Sequence, residues 1–131
     1  MKRVVLDTNI LIPLLRNVAN YTQLFRTYDE VILPSIVVGE YKAGLFATKI
    51  GEKNRQSLAD YLADPNVRLA PITDRTTDLY AKVYQALRKE GTPIPQNDMW
   101  IAASALEHGA DLATHDAHYR HVPMLTVIVV G

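Results

Sequence analysis

Short apolar runs alternate with helix-like segments along the whole 131-residue sequence. Five runs have the character of strands, and they read RVVLD, VILP, VRLAPI, DLATHD and MLTVIVV. Runs without regular polar alternation are typical of strands that are buried on both faces. Because strands that alternate with helices build parallel sheets, the sequence predicts an α/β fold. We expect one domain over residues 1–131, with a small, mostly parallel sheet covered by helices on both faces.

Local signals mark where the predicted helices begin and end. Ser35 begins an apolar helix, and Thr73 and Gly91 bound the most amphipathic helix, TDRTTDLYAKVYQALRKEG. Threonine is a favourable N-cap, and glycine accepts the left-handed conformation that commonly ends a helix. Asn97 is predicted to cap the helix NDMWIAASALEHG, which Gly109 closes.

Composition excludes several kinds of site. The chain has no cysteine, so neither disulfides nor thiolate metal sites are possible. Its 14 Lys and Arg residues balance its 14 Asp and Glu residues, which gives a formal net charge of zero. A protein that binds nucleic acid by charge alone is usually basic. A nucleic-acid substrate would therefore require bound cations or a local basic patch.

The N-terminal stretch MKRVVLDTNILIPLL resembles a secretion signal, because two basic residues precede an apolar stretch. Asp7 and Asn9 interrupt that stretch, and no small-residue cleavage site follows. No segment approaches the ~18 consecutive apolar residues that a membrane span needs. We therefore expect a cytoplasmic protein that has no contact with a membrane.

Four carboxylates occupy positions that the predicted topology brings together. Asp7 and Asp116 end predicted strands, Asp98 lies in the first turn of a helix, and Glu40 lies in an apolar helix. In open parallel sheets, ligands bind outside the carboxyl ends of the strands. We therefore expect all four side chains to lie at that edge.

Each carboxylate taken alone also has a structural interpretation. Asp98 can complement a helix dipole, Asp116 can form a turn, and Asp7 can cap the following helix. Glu40 is harder to explain in this way, because a carboxylate in apolar surroundings requires a partner.

A cluster of four carboxylates requires compensation for its charge. Two like charges about 5 Å apart repel by roughly 3 kcal/mol at an effective dielectric constant of about 20. Divalent cations offset such repulsion, and oxygen ligands suit Mg²⁺ or Mn²⁺. These metals can activate water and stabilise the charge that develops on a phosphodiester. The cluster therefore predicts a Mg²⁺ or Mn²⁺ site.

Three blocks of sequence, VVLDTN, PSIVVGEYKAG and NDMWIAASALEHGADLATHDAHY, together resemble the PIN domain. The resemblance is to the VapC-type ribonuclease toxins of toxin–antitoxin pairs and covers essentially the whole chain. It implies a three-layer α/β/α fold and an endoribonuclease that depends on Mg²⁺ or Mn²⁺. It also implies an RNA substrate, a VapB-like antitoxin partner and a homodimer.

The resemblance also implies roles for individual residues. The acidic, metal-binding and catalytic residues of the family correspond to Asp7, Glu40, Asp98 and Asp116. The supporting polar residues correspond to Thr8, Asn9 and Thr114. The sequence departs from the family pattern at Val37 and Val38, where a hydroxyl is frequent, and at Asn97, where some members have a further acid. Tyr119 stands where phenylalanine is common, and we expect this change to be neutral.

Basic and aromatic residues offer further candidates for function. The basic residues that could contact the RNA backbone are Lys42, Lys49, Lys53 and Arg55. A solvated helix face is the alternative interpretation of these residues. Trp100 could stack on a base, although its apolar neighbours favour packing in the core or at a dimer interface.

The segment THDAHYRH carries His115, His118 and His121. A zinc site would require the three imidazoles to converge, and the segment lacks a cysteine partner. We therefore expect loop histidines near the acidic cluster, one of which could contact phosphate.

Three other functions remain to be compared with a nuclease toxin. An aspartate-nucleophile phosphatase would need a second Asp where Asn9 stands and a late lysine, yet the last lysine is Lys89. A housekeeping PIN nuclease in RNA processing, or a catalytically silent PIN-like module that binds RNA or protein, would share the fold. The silent module would be expected to lack an acid, and none is missing.

Overall fold

The computed structural model describes residues 1–47 and 51–131 and contains a five-stranded sheet. Its strands are β1 (Arg3–Leu6), β2 (Glu30–Pro34), β3 (Val67–Ala70), β4 (Asp111–Thr114) and β5 (Val127–Val129). The strand order is β3-β2-β1-β4-β5, and every neighbouring pair is parallel. The predicted α/β fold and parallel sheet are therefore confirmed.

Helices connect the strands and cover the sheet. They are α1 (Thr8–Leu15), α2 (Ala19–Leu24), α3 (Ser35–Leu45), α4 (Gly51–Leu62), α5 (Asp74–Glu90) and α6 (Gln96–Glu107), and a 3₁₀ helix spans Ala117–His121. Right-handed crossovers put α1 to α4 on one face and α5 and α6 on the other, because the chain reverses direction across the sheet after β3. Helix α1 contacts α3 and α4, whereas α5 packs along α6. Within the described part of the chain, none of the helices has the length and apolar character needed to cross a membrane.

The two central strands form the most deeply buried part of the core. Val4, Val5 and Leu6 of β1, together with Leu112 and Ala113 of β4, have no exposed surface. Both faces of these strands lie under helices, which explains why their sequences show no polar alternation. The ends of β1 and β4 are consequently held rigidly, and the residues that follow them have fixed positions.

The ends of two helices differ in how well the sequence predicted them. The side chain of Thr73 caps α5 in a reciprocal capping box with Thr76, and Gly91 ends α5 in the left-handed conformation, as predicted. The predicted cap at Asn97 is wrong, because α6 begins at Gln96 and Pro95 occupies the capping position without a side-chain bond. Proline has no side-chain acceptor, so the first N–H groups of α6 receive no side-chain cap from this position.

A carboxylate joins α6 to α5. Glu107, the last residue of α6, accepts hydrogen bonds from the hydroxyls of Thr73 at 3.0 Å and Thr76 at 2.5 Å. These bonds attach the C-terminal end of α6 to the N-terminal end of α5. The position of α6 is thus fixed at the end opposite to its first turn.

Two glycines provide a matched test of backbone conformation. A Cβ atom added at Gly91 or at Gly44 would meet nothing within 4 Å, but only Gly91 has a positive φ, of 68°. Gly91→Ala should lower the free energy of unfolding by about 1 kcal/mol, because an L-residue is strained there. Gly44→Ala in α3 should raise it by about 0.5 kcal/mol, since alanine lowers the entropy of the unfolded chain. Urea unfolding would measure both, and equal effects of the two substitutions would contradict this account.

Candidate metal centre

Asp7 follows β1 and lies almost wholly inside the protein, with 6% of its surface exposed. One carboxylate oxygen accepts the backbone N–H of Thr8 at 2.8 Å and thereby caps α1. The other accepts the hydroxyl of Thr114 at 2.7 Å. Burial raises the pKa of Asp7, and the negative charge of Asp98 adds to this, while the two hydrogen bonds act in the opposite direction. Asp7 is therefore both a helix cap and a buried acid next to another carboxylate.

Thr114 and Asn9 connect the end of β1 to the segment that follows β4. The hydroxyl of Thr114 donates to Asp7 and accepts the backbone N–H of Asp116 at 3.0 Å. The side-chain oxygen of Asn9 accepts the backbone N–H of His115 at 3.2 Å. These bonds fix the course of the chain around Asp116.

Glu40 lies on α3 and reaches towards both β1 and α6. Its two carboxylate oxygens accept the hydroxyl of Thr8 at 2.7 Å and the side-chain amide of Asn97 at 3.4 Å. A carboxylate in an apolar helix requires a partner, and Thr8, which comes shortly after β1, supplies it for Glu40. Asn97 does not cap α6, and its side chain contacts Glu40 instead, which the sequence interpretation missed.

One imidazole links the remaining two acids. His118 places Nε2 2.9 Å from a carboxylate oxygen of Asp98 and Nδ1 3.0 Å from a carboxylate oxygen of Asp116. Asp98 is in the first turn of α6, and Asp116 follows β4 with 52% of its side chain exposed. One ligand atom from each of the three residues lies within 4.8 Å of the others, so the group could hold a metal ion.

The three histidines of the THDAHYRH segment do not converge. The ring of His115 places Nε2 2.8 Å from the hydroxyl of Tyr21 and Nδ1 2.6 Å from the backbone oxygen of Val130. The ring nitrogens of His118 face two carboxylates, and His121 is exposed at the end of the 3₁₀ helix. Of the three histidines expected near the acids, His118 contacts two of them, and a contact of one histidine with phosphate stays a prediction.

The four predicted acids all lie at or beside the carboxyl edge of the sheet. The strand order reverses between β1 and β4, and the carboxyl ends beside such a point are where open α/β sheets bind ligands. The hydrogen bonds and contacts described above connect the acids through the side chains of Thr8, Asn97, Thr114 and His118. This set of carboxylate oxygens with one imidazole nitrogen fits a divalent cation such as Mg²⁺ or Mn²⁺. The roles of the individual residues as ligands stay predictions.

Three of the four basic candidates are described by the structure. Lys42 extends from α3, and Lys53 and Arg55 extend from α4; all three are exposed. Lys49 lies outside the described residues. A contact between these side chains and RNA stays a prediction.

The ring of Trp100 packs against another aromatic ring of the same chain. Its ring stacks on that of Tyr80, with the centroids 3.9 Å apart and an angle of 21° between the planes. This contact joins α6 to α5, and Trp100 is half-buried there rather than part of the buried core. A place at a dimer interface stays a prediction.

Tyr119 brings a polar atom into the buried base of the site. The residue has no exposed surface, and among the described residues its hydroxyl has no hydrogen-bond partner of good geometry. Burial raises the pKa of this hydroxyl far above its usual value, and the charges of Asp7 and Asp98 raise it further. The sequence signal for this buried hydroxyl was a tyrosine at a position where phenylalanine is common in the family.

Comparison with known proteins identifies the family. Residues 4–125 match the PIN domain family. The chain belongs to this family. The resemblance inferred from the three sequence blocks is therefore confirmed.

Individual relatives of this PIN domain agree with that assignment. It is 30% identical over 115 residues to Ribonuclease VapC1 of Haemophilus influenzae strain R2866, which covers 85% of this chain and 84% of the relative. Its fold is similar to that of VapBC-1 from nontypeable Haemophilus influenzae, with a TM-score of 0.81, 25% identity and coverage of 97% of each chain. VapBC-5 from Mycobacterium tuberculosis, a member of the VapBC family of toxin–antitoxin systems, has a TM-score of 0.77 and 22% identity, with coverage of 99% of this chain and 100% of the other.

The buried carboxyl group of Asp7 predicts how stability depends on pH in the presence of EDTA. Its pKa in the folded chain lies above the ordinary value of 3.8, so the folded state binds more protons just above pH 3.8. The contribution of Asp7 to stability should therefore fall as the pH rises through that window, by about 1.4 kcal/mol for each unit by which the pKa is raised. Asp7→Asn cannot ionise, yet its side-chain oxygen can still accept the N–H of Thr8. This variant should gain stability over the wild type between pH 3.5 and pH 7, as measured by urea unfolding.

If the free energy of unfolding changed with pH in the same way in the wild type and in Asp7→Asn, the loss of stability with rising pH could not be assigned to Asp7.

Proposed function

We propose that this PIN domain is an endoribonuclease that depends on Mg²⁺ or Mn²⁺ and hydrolyses RNA phosphodiester bonds in the cytoplasm, with residues 1–131 acting as one domain. The observation that carries the proposal is the approach of Asp98, Asp116 and His118 to within 4.8 Å, beside buried Asp7. The 30% identity to a protein named Ribonuclease VapC1 supports RNA as the substrate.

In this proposal the acidic residues hold the cation, directly or through water, and they are Asp7, Glu40, Asp98 and Asp116. The cation would activate water for attack on phosphorus and stabilise the negative charge that develops on the phosphodiester. Carboxylates that ligate metals are usually themselves held by outer hydrogen bonds. Thr114 holds Asp7 in this way, while Thr8 and Asn97 hold Glu40.

The charge of the site determines how RNA can approach it. A polyanion would be repelled by four carboxylates unless a cation offset them, because the chain as a whole carries no positive excess. Asp116 is half exposed and gives the cluster an opening to solvent. The exposed side chains of Lys42, Lys53 and Arg55 could contact the RNA backbone nearby, without regard to sequence.

Two aspartates, each in the first turn of a helix, allow a controlled test of cleavage. Asp98 is in the first turn of α6, and Asp74 is in the first turn of α5. Purified protein should cleave total RNA with Mg²⁺ or Mn²⁺ and not with EDTA. Asp98→Asn should lower the rate by more than about 100-fold, which exceeds the usual cost of losing an outer-shell partner. Asp74→Asn should leave the rate unchanged, because it alters only a helix terminus.

Cleavage that persists in EDTA, or full activity of Asp98→Asn, would overturn the proposed mechanism.

We further propose that the protein is the toxin of a toxin–antitoxin pair, that it forms a homodimer, and that a VapB-like antitoxin inhibits it. The likeness to VapBC-1 and VapBC-5 supports this proposal. Induced expression in bacteria should stop growth because cellular RNA is cleaved, whereas Asp98→Asn should not stop it. Co-expression of the antitoxin should restore growth and give a stable complex.

Normal growth at equal expression of the wild type and Asp98→Asn would favour a housekeeping nuclease instead. Light scattering that gave the monomer mass of 14.7 kDa for the isolated protein would contradict the homodimer.

A further inference from the structure

The hydroxyl of Tyr119 is a buried polar atom that the proposed reaction leaves without a role. Tyr119 has no exposed surface, and among the described residues its hydroxyl has no hydrogen-bond partner of good geometry. Nearly all buried polar side-chain atoms have a partner, so an exception calls for an explanation such as a ligand or an ordered water. A phenylalanine would fill the same space without this cost.

The surroundings of this hydroxyl are the acidic cluster. Tyr119 lies on the 3₁₀ helix that begins directly after Asp116, and its ring centroid is 4.8 Å from that of His118. The carboxylates of Asp7 and Asp98 are near enough to raise the pKa of the hydroxyl by their charges and as hydrogen-bond acceptors. The hydroxyl is therefore a buried donor beside two carboxylates.

The other hydroxyls at the site show what such a donor does. Thr114 donates to Asp7 at 2.7 Å, and Thr8 donates to Glu40 at 2.7 Å. Each bond fixes the orientation of one carboxylate. The hydroxyl of Tyr119 is a third one, buried beside the same cluster and without a bond of its own among the described residues.

We propose that Tyr119 is a positioning residue of the metal centre: when a divalent cation is bound, the carboxylates of Asp7 and Asp98 share its one hydroxyl proton, which fixes their orientation. This inference rests on the proposed metal dependence. It replaces the expectation that tyrosine in place of phenylalanine is neutral. The acidic residues contact the cation, and Tyr119 acts through them.

The test is the affinity of Tyr119→Phe for Mn²⁺, measured by calorimetry without RNA. The variant retains the ring and loses only the hydroxyl. Its dissociation constant for Mn²⁺ should rise about tenfold, which is the usual effect of removing an outer-shell partner of a ligand. In EDTA its melting temperature should stay the same or rise, because an unpaired buried hydroxyl is removed.

A matched control removes a different tyrosine hydroxyl that also faces a carboxylate. Tyr28 donates to Asp111 at 2.7 Å, at the opposite end of β4 from Thr114. Tyr28→Phe should lower the melting temperature and leave the affinity for Mn²⁺ unchanged. The rise in melting temperature on adding Mn²⁺, compared within each variant, provides a second measure of binding that does not depend on its basal stability.

The dependence of RNA cleavage on Mn²⁺ concentration separates a positioning role of Tyr119 from a role in packing alone. At low Mn²⁺, Tyr119→Phe should cleave RNA more slowly than the wild type, with the KM for RNA unchanged. Saturating Mn²⁺ should restore kcat, since only the holding of the cation is weakened. A loss of kcat that persists at saturation would overturn the positioning role.

The wild type and Asp116→Asn separate failure of this inference from failure of the proposed function. If the wild type binds Mn²⁺, Asp116→Asn binds it weakly and Tyr119→Phe binds it like the wild type, only the role of Tyr119 is overturned. If the wild type does not bind Mn²⁺ at millimolar concentration, the metal dependence and the inference that rests on it both fail.

Discussion

The hydrogen bond between the hydroxyl of Thr114 and the carboxylate of Asp7 joins the ends of the two central strands. It exists because β1 and β4 pair in parallel, so that both strands finish at the same edge of the sheet. The remaining contacts extend from these two residues. Asp7 caps α1 and so places Thr8, which binds Glu40, while Thr114 accepts the backbone N–H of Asp116. This one pairing of strands therefore determines where Asp7 and Asp116 lie, and it places Thr8 to hold Glu40.

The same edge concentrates negative charge in a chain that is neutral overall. Hydroxyls, one amide and one imidazole contact the carboxylates at this edge. The imidazole of His118 lies between Asp98 and Asp116, and burial raises the pKa of Asp7. Sites at which local interactions oppose stability are commonly sites of function. The cluster has this character, and its charge would favour the binding of a cation.

The sequence predicted the fold and the position of the acids for a definite physical reason. Short apolar runs without polar alternation, such as the one that ends at Leu6, are typical of strands covered on both faces. The carboxyl ends of parallel strands lie at one edge of the sheet, where ligands bind. Side-chain direction within a helix or loop does not follow from such rules. Asn97 was predicted to be a cap, yet Pro95 takes that position and the amide contacts Glu40. The contacts of His118 with two acids, and the burial of Tyr119 beneath them, depend on tertiary packing that no local pattern encodes.

The pairing of β1 with β4 also has a consequence for synthesis on the ribosome. Asp7 emerges first, but its partner Thr114 is 107 residues later in the chain. Contacts between such distant residues form late, because a long loop must close before they are made. A nascent chain cannot assemble the acidic cluster until the segment through His118 has left the ribosome and β4 has inserted beside β1. The acidic cluster is therefore absent from the growing chain during most of its synthesis.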